Sequence, residues 1–291
     1  MEKSKASVTL RAMGGDDIAA GMRLCVAAGW NQLEDDWKVF IESPGSGGVL
    51  AEREGRATGS AAFVRYGCES GGTLAWIAMM LVDPAERGAG IGGQLLEAAL
   101  ANVKNAEYIG LDATPLGAPL YRRFGFMSHG AVVRMKATIA AARFSSTAGR
   151  ARKMNASDLP EVLRRDRELF GADRGLLLKS LFERAPECAW LLTGDTGVRG
   201  YAFGRPGRLH YQLGPVVADD AGIAQELISR CFSEQDGRSF LIDAPSIDQA
   251  WLAWLTSSGF AEERSFERMY LHGHAHRGLE RQYAITGPEF S

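Results

Sequence analysis

Two stretches 141 positions apart say nearly the same thing, and that repetition constrains the fold more than any single motif. "LRAMGGDDIAAGMRL" (Leu10 to Leu24) is matched by "ARKMNASDLPEVLRR" (Ala151 to Arg165), so that Arg11, Met13 and Asp17 correspond to Arg152, Met154 and Asp158. Gly59 corresponds to Gly200 at the same offset. Further along the spacing shortens but the order survives: Asp112-Ala113 returns as Asp243-Ala244, Gly125-Phe126 as Gly259-Phe260, and Arg134-Met135 as Arg268-Met269. The 291 residues therefore read as two homologous domains, 6–138 and 149–272. A linker of small and polar residues, 139–148, joins them, and a loose tail, 273–291, follows.

Within the first copy, "SVTLRAM" has strand character, while "DDIAAGMRLCVAAGW" and "EDDWKVFIES" carry apolar residues at helical spacing. A hairpin is expected around Glu54-Gly55, and "TLAWIAMMLV" is apolar enough for a strand covered on both faces. The helix "GQLLEAALANV", the strand "YIGLDAT", the short helix "GAPLYRRFG" and a final strand pair within "FMSHGAVVRMKA" complete the unit. This order predicts an α/β fold in which each copy is a mostly antiparallel, twisted mixed sheet with helices on both faces.

Between the long apolar strand and its helix lies "VDPAERGAGIGGQLL" (Val82 to Leu96), with four glycines in the six residues from Gly88 to Gly93. The first N–H groups of a helix have no internal partner and that end is electropositive, so glycines there let backbone approach an anion such as pyrophosphate. A Walker A loop would need Lys-Ser/Thr at its end, where Gln94 stands instead. A dinucleotide fingerprint belongs after the first strand of a βαβ unit, and this loop comes after the fourth or fifth.

Arg87-Gly88-Ala89-Gly90-Ile91-Gly92 resembles the [RQ]-x-x-G-x-[GA] motif of the GNAT acetyltransferase superfamily, and "LDATPLGAPLYRRFGF" resembles the LYxxxGF ending of the same superfamily. The likeness covers the whole first copy, and with the weaker second copy it looks like the tandem, YitH-type branch. It implies an acetyl-CoA-dependent N-acetyltransferase that moves an acetyl group to a primary amine of a small molecule by direct attack in a ternary complex. The backbone of Met80, Leu81 and Val82 would pair with the pantetheine arm and acetyl carbonyl, and Arg87, Gly88, Ala89, Gly90, Ile91 and Gly92 would hold the pyrophosphate. Tyr121 stands where these enzymes often place a tyrosine near the CoA sulfur; a phenol is protonated at neutral pH and can donate to the departing thiolate. Asp112 stands where some carry a glutamate, as a base acting through water or as a structural carboxylate. Trp30, Glu34, Asp35 and Asp36, with Trp37, fall in the region that shapes the acceptor pocket, although acidic residues also suit a solvated helix start. Transfer of another acyl group, transfer to oxygen, and a CoA-binding sensor without turnover are the alternative readings.

The second copy lacks this equipment. "VADDAGIAQELI" keeps only Gly222, puts Asp219 and Asp220 where a pyrophosphate would sit, and Leu255 replaces the tyrosine. It reads as a cofactor-free relative that shapes the acceptor pocket or serves structure alone. The formal net charge of -2 argues against a nucleic-acid partner, and no apolar run reaches membrane-spanning length. A cytoplasmic monomer or homodimer with no membrane partner is expected. Cys25, Cys68, Cys188 and Cys231 have no CxxC spacing and read as reduced, buried thiols. No metal is expected: His272, His274 and His276 alternate but have no acidic partner at ligand spacing.

Overall fold

The computed structural model describes residues 7–69, 71–144, 149–195, 197–276 and 280–291. The first copy runs β1 (Thr9–Ala12), α1 (Ile18–Ala27), α2 (Glu34–Glu42), β2 (Gly47–Arg53), β3 (Arg56–Cys68), β4 (Thr73–Val82), α3 (Ile91–Val103), β5 (Tyr108–Ala113), α4 (Ala118–Arg123) and β6 (Phe126–Thr138). The second runs β7 (Arg152–Lys153), α5 (Leu159–Phe170), β8 (Ala172–Asp173), α6 (Gly175–Arg184), β9 (Trp190–Gly194), β10 (Gly197–Arg205), β11 (Tyr211–Ala218), α7 (Ala221–Phe232), β12 (Ser239–Pro245), α8 (Gln249–Ser257) and β13 (Ala261–Leu271). A short β14 (Gln282–Ala284) closes the chain. The repeat is thus a repeat of architecture, and its anchors have structural duties. Arg11 and Arg152 each donate to the aspartate six residues on, Asp17 and Asp158, at 2.7 Å. A Cβ at Gly59 would press on Leu95, and one at Gly200 on Ile223, so both glycines seat the helix that crosses the sheet.

All the main strands join one sheet in the order β1-β2-β3-β4-β5-β13-β6-β12-β11-β10-β9-β7. Among the described residues only β4–β5 and β11–β12 pair in parallel. The order places β13 of the second copy between β5 and β6 of the first, and β6 between β13 and β12. Each copy lends its last strand to the other, so two units consecutive in sequence are interleaved in space. The pair of strands expected within 126–137 is instead the single 13-residue β6. Gly130, at φ +127°, sits where the pairing with β13 shifts register between Ala131 and Ser128, and β13 continues on both sides of that irregularity, which carries the strand through it.

Two buried ion pairs fasten the exchange. Asp112 on β5 accepts from Arg268 on β13 at 2.8 and 2.7 Å, and Asp243 on β12 accepts from Arg134 on β6 at 2.7 and 2.8 Å. They are one interaction written twice: the aspartate of each copy holds the arginine of the other.

The tail is not loose. β14 pairs with β11, and Ile285, Thr286 and Phe290 are fully buried. Trp76 donates to the Pro288 carbonyl at 2.9 Å, Tyr66 to the Phe290 carbonyl at 3.1 Å, and the Phe290 ring stacks on Phe40 at 5.0 Å between centroids. Pro288 and Phe290 of "AITGPEF" meet partners more than 200 positions away, which no local pattern could reveal. Of the linker, residues 145–148 lie outside the described residues, and Ile139 and Phe144 pack into the second copy's core.

Candidate active site

The site begins as a flaw in strand pairing. Between β3 and β4 the register slips from Ala62↔Ala78 to Ser60↔Leu81, leaving one extra residue on β4. Met79 takes up this bulge at φ +50°, and its carbonyl is pinned by the Ser60 hydroxyl at 2.9 Å. On its other edge β4 shares register with β5 only from Leu74↔Tyr108 to Trp76↔Gly110. Beyond that pair the strands part, and the β4 backbone from Ile77 to Val82 lines a cavity of about 730 Å³.

At one end of this opening stands the glycine loop. Gly88 and Gly90 lie in the left-handed region at φ +82° and +78°, and Gly90 is the residue from which α3 starts, with no side chain capping that end. A Cβ at Gly90 would touch nothing within 4 Å, so the first turn of α3 opens to the cavity. Arg87, Gly88, Gly90, Ile91 and Gly92 line the space together with Met80, Leu81 and Val82; Ala89, exposed in the loop, does not. A splayed strand edge leading to bare helix N–H groups fits a ligand with an extended polar arm and a phosphate end. Arg123 on α4 adds a cation to the lining.

Tyr121 projects from α4 into the same cavity, packed edge-on against Phe126 and only 8% exposed. No hydrogen bond ties its hydroxyl to another described residue. Burial pushes that hydroxyl well above the usual tyrosine range, which keeps it protonated through neutral and mildly basic pH.

The other expected side chains are differently occupied. Asp112 borders the cavity, but both of its oxygens are held by Arg268; burial pushes its carboxyl up while Arg268 pulls it back. This geometry is that of the structural carboxylate. Asp36 is fully buried and holds Arg184 at 2.9 Å and Arg205 at 2.7 Å, while its Oδ2 accepts from the Leu33 N–H at the start of α2. Glu34 is solvated, Asp35 pairs with Lys38 at 2.8 Å, and neither lines the cavity. Trp37 is core. Of that group only Trp30 faces the cavity, joined by Asn31 and Gln32, two residues the sequence reading passed over.

The remaining wall comes from chain far away: Arg134 on β6, Arg264 and Phe266 on β13, and Pro288 and Glu289 from the tail. The second copy also fixes the α1–α2 loop, because Asn31 Oδ1 accepts from the Leu209 and His210 N–H groups at 2.8 and 3.0 Å. It thus shapes the cavity without containing it.

Its own cofactor slot is closed. β11 pairs with β12 only at Tyr211↔Phe240 and Gln212↔Leu241, the same parting as in the first copy, but β14 pairs with β11 at Val216 and Val217, and Ile285 donates to the Asp243 carbonyl at 2.9 Å. A Cβ at Gly214 would sit 2.0 Å from the Ile285 carbonyl oxygen, so glycine is required for the tail to lie this close. At the helix start Asp220 caps the Ile223 N–H at 3.0 Å, filling the position where an anion would bind. Asp219 is held by Arg165, Arg199 and Arg281. Asp220→Ala is therefore expected to cost about 1 kcal/mol of stability through the lost cap and to leave CoA affinity unchanged, measured by thermal unfolding and calorimetry.

Among the described residues no group of three His, Cys, Asp or Glu side chains could hold a metal ion. His272 lies against Gly125, while His276 packs elsewhere, against Tyr108 and Phe170. Cys25, Cys188 and Cys231 are buried free thiols, and Cys68 is half-buried and free. No helix is long and apolar enough to cross a membrane, among the described residues.

Comparison with known proteins agrees with this geometry. Two family models, both described as acetyltransferase (GNAT) domain, match residues 44–128 and 162–284; the second span runs through β14. The chain is 26% identical over 246 residues to holothin acyltransferase of Pseudoalteromonas sp. (strain SANK 73390), covering 84% of this chain and 81% of that protein. It is 24% identical over 260 residues to the uncharacterized N-acetyltransferase YitH of Bacillus subtilis (strain 168), covering 85% and 86%. In fold it is similar to a Pyrococcus horikoshii protein proposed to be an acetyltransferase (TM-score 0.80, 20% identity, 100% of this chain and 99% of that one). It is also similar to a tandem GNAT protein from the clavulanic acid biosynthesis pathway (TM-score 0.64, 13% identity, 92% and 100%).

Proposed function

We propose that this chain, which belongs to the GNAT acetyltransferase family with two such domains in tandem, transfers an acetyl group from acetyl-CoA to a primary amine of a small molecule, using only its first domain. The observation that carries the reading is the meeting of three features in one cavity: the splayed edge of β4, the uncapped start of α3 beyond Gly90, and the free hydroxyl of Tyr121.

Acetyl-CoA supplies an activated thioester. The N–H groups from Arg87 to Gly92 hold its pyrophosphate, with Arg87 adding charge at the loop's start. The unpaired β4 edge at Met80, Leu81 and Val82 aligns the arm as an added strand would be aligned, which fixes the reacting carbon and spares the entropy of a random encounter. Tyr121 holds the proton that the departing thiolate takes up. No side chain need bond covalently to the acetyl group. In this reading Asp112 acts by positioning: its pairing with Arg268 locks β5 to β13 beside the cavity.

The test is CoA release from acetyl-CoA with a panel of amines. Turnover is expected, and Tyr121→Phe is expected to lower kcat by about 10²-fold while leaving CoA affinity unchanged, since only the proton donor is lost. Tight CoA binding with no turnover across the panel would favour the sensor reading. The same assay with longer acyl-CoA thioesters decides between acetyl and other acyl groups, a question that the kinship to an acyltransferase makes direct.

A further inference from the structure

One side chain of the cavity wall, Arg264, carries a charge with no direct ion-pair partner among the described residues. Arg264 on β13 lies across from Arg134 on β6 in the sheet register, and both guanidinium carbons sit over the ring of Phe266, at 5.4 and 5.1 Å from its centroid. Like charges on directly paired strands destabilise a sheet. Arg134 is compensated by Asp243, but Arg264 makes no ion pair or hydrogen bond with any described residue, and its buried Nε has no partner. Burial, with Arg134 adding to it, lowers the affinity of this guanidinium for its proton, and the carboxylates of Glu263, Asp243 and Glu289, none of them in direct ion pair with it, offset this only in part. The second mismatch is Gln32, only 5% exposed, whose buried Oε1 accepts from nothing among the described residues. Both side chains line the cavity that holds Tyr121.

An unpaired arginine half-buried on the wall of a reaction cavity is stabilised when a ligand brings the missing anion, and its planar fork matches a carboxylate or phosphate in two parallel hydrogen bonds. An unsatisfied amide oxygen is stabilised by a donor, which an amine supplies. Resting on the transferase reading above, we infer that the acceptor is an amine that also bears one small oxyanion, a carboxylate or phosphate, bound by Arg264, with Gln32 accepting from its nitrogen.

The products of such a reaction make convenient probes. Binding of a panel of N-acetyl amino acids, the matched N-acetyl amino acid amides and N-acetyl aminoalkyl phosphates is measured by calorimetry on the full chain and on Arg264→Gln. At least tenfold tighter binding of one anionic series than of the neutral amides is expected, and the series that wins distinguishes carboxylate from phosphate. Arg264→Gln is expected to erase the difference while CoA affinity stays as it was, which excludes a collapsed site; Arg264→Lys is expected to keep part of it. Equal binding of anionic and neutral probes, no binding of any, or a preference that survives Arg264→Gln would overturn the inference. Turnover is scored separately: anion-selective binding without transfer to any amine counts against the transferase reading and for the anion site.

Discussion

Gly90→Glu is expected to weaken CoA binding by about 10³-fold while the protein stays folded. The reasoning starts from space and conformation. A Cβ at Gly90 meets no atom within 4 Å, so a larger side chain has room and the cost is the left-handed backbone at φ +78°, about 1–2 kcal/mol. The carboxylate would then stand at the start of α3, where the helix N–H groups face the cavity, and would take the place of the pyrophosphate as Asp220 does at the start of α7. Losing two hydrogen bonds to a charged group, at about 1.5–3 kcal/mol each, suffices for the stated factor before repulsion is added. Gly90→Asn, which tolerates the left-handed region and carries no charge, is the control and should stay within about fivefold of the parent. Calorimetry with CoA reads the affinity and thermal unfolding the fold. An unchanged affinity in Gly90→Glu would remove the loop from the site.

What made this loop readable is that its signal is local. A long apolar strand, four glycines and a helical run follow one another within about 30 residues, and the physics of each is contained in its own stretch. Tyr121 was readable for the same reason, from its place four residues before Gly125-Phe126. The acceptor side was not, because it is assembled from four separate pieces of chain, and Arg264 and Glu289 are, in sequence, ordinary charged residues on a strand and near a terminus. Glu34, Asp35 and Asp36 misled by composition: an acidic run suits a cationic substrate, but it suits the start of α2 equally, and Asp36 is consumed by Arg184 and Arg205. The exchange of last strands had a legible trace. Asp112 and Arg134 both recur in the second copy, as Asp243 and Arg268, although that copy has lost the glycine loop and the tyrosine. Residues kept by both copies when only one has the cofactor equipment are serving the shared fold.

That argument carries a second large effect. Asp112→Asn is expected to destabilise the protein by about 3–5 kcal/mol, because it leaves the Arg268 guanidinium buried without its counter-charge. Arg268→Met alone should do similar harm by stranding Asp112, whereas Asp112→Leu combined with Arg268→Met should recover most of the loss, since a buried pair replaced whole by apolar side chains is often neutral or better. Denaturant unfolding midpoints of the two single variants and the double variant form the cycle. The outcome separates two roles for one residue. If Asp112 were the base that collects the ammonium proton, the double variant would be stable and inactive. If it is a clasp between exchanged strands, the double variant should regain stability and turnover together. Arg134 and Asp243, the same clasp in the other orientation, should behave alike in their own cycle, with one difference: Arg134 also borders the acceptor wall beside Arg264, so its removal should alter the KM for the acceptor as well.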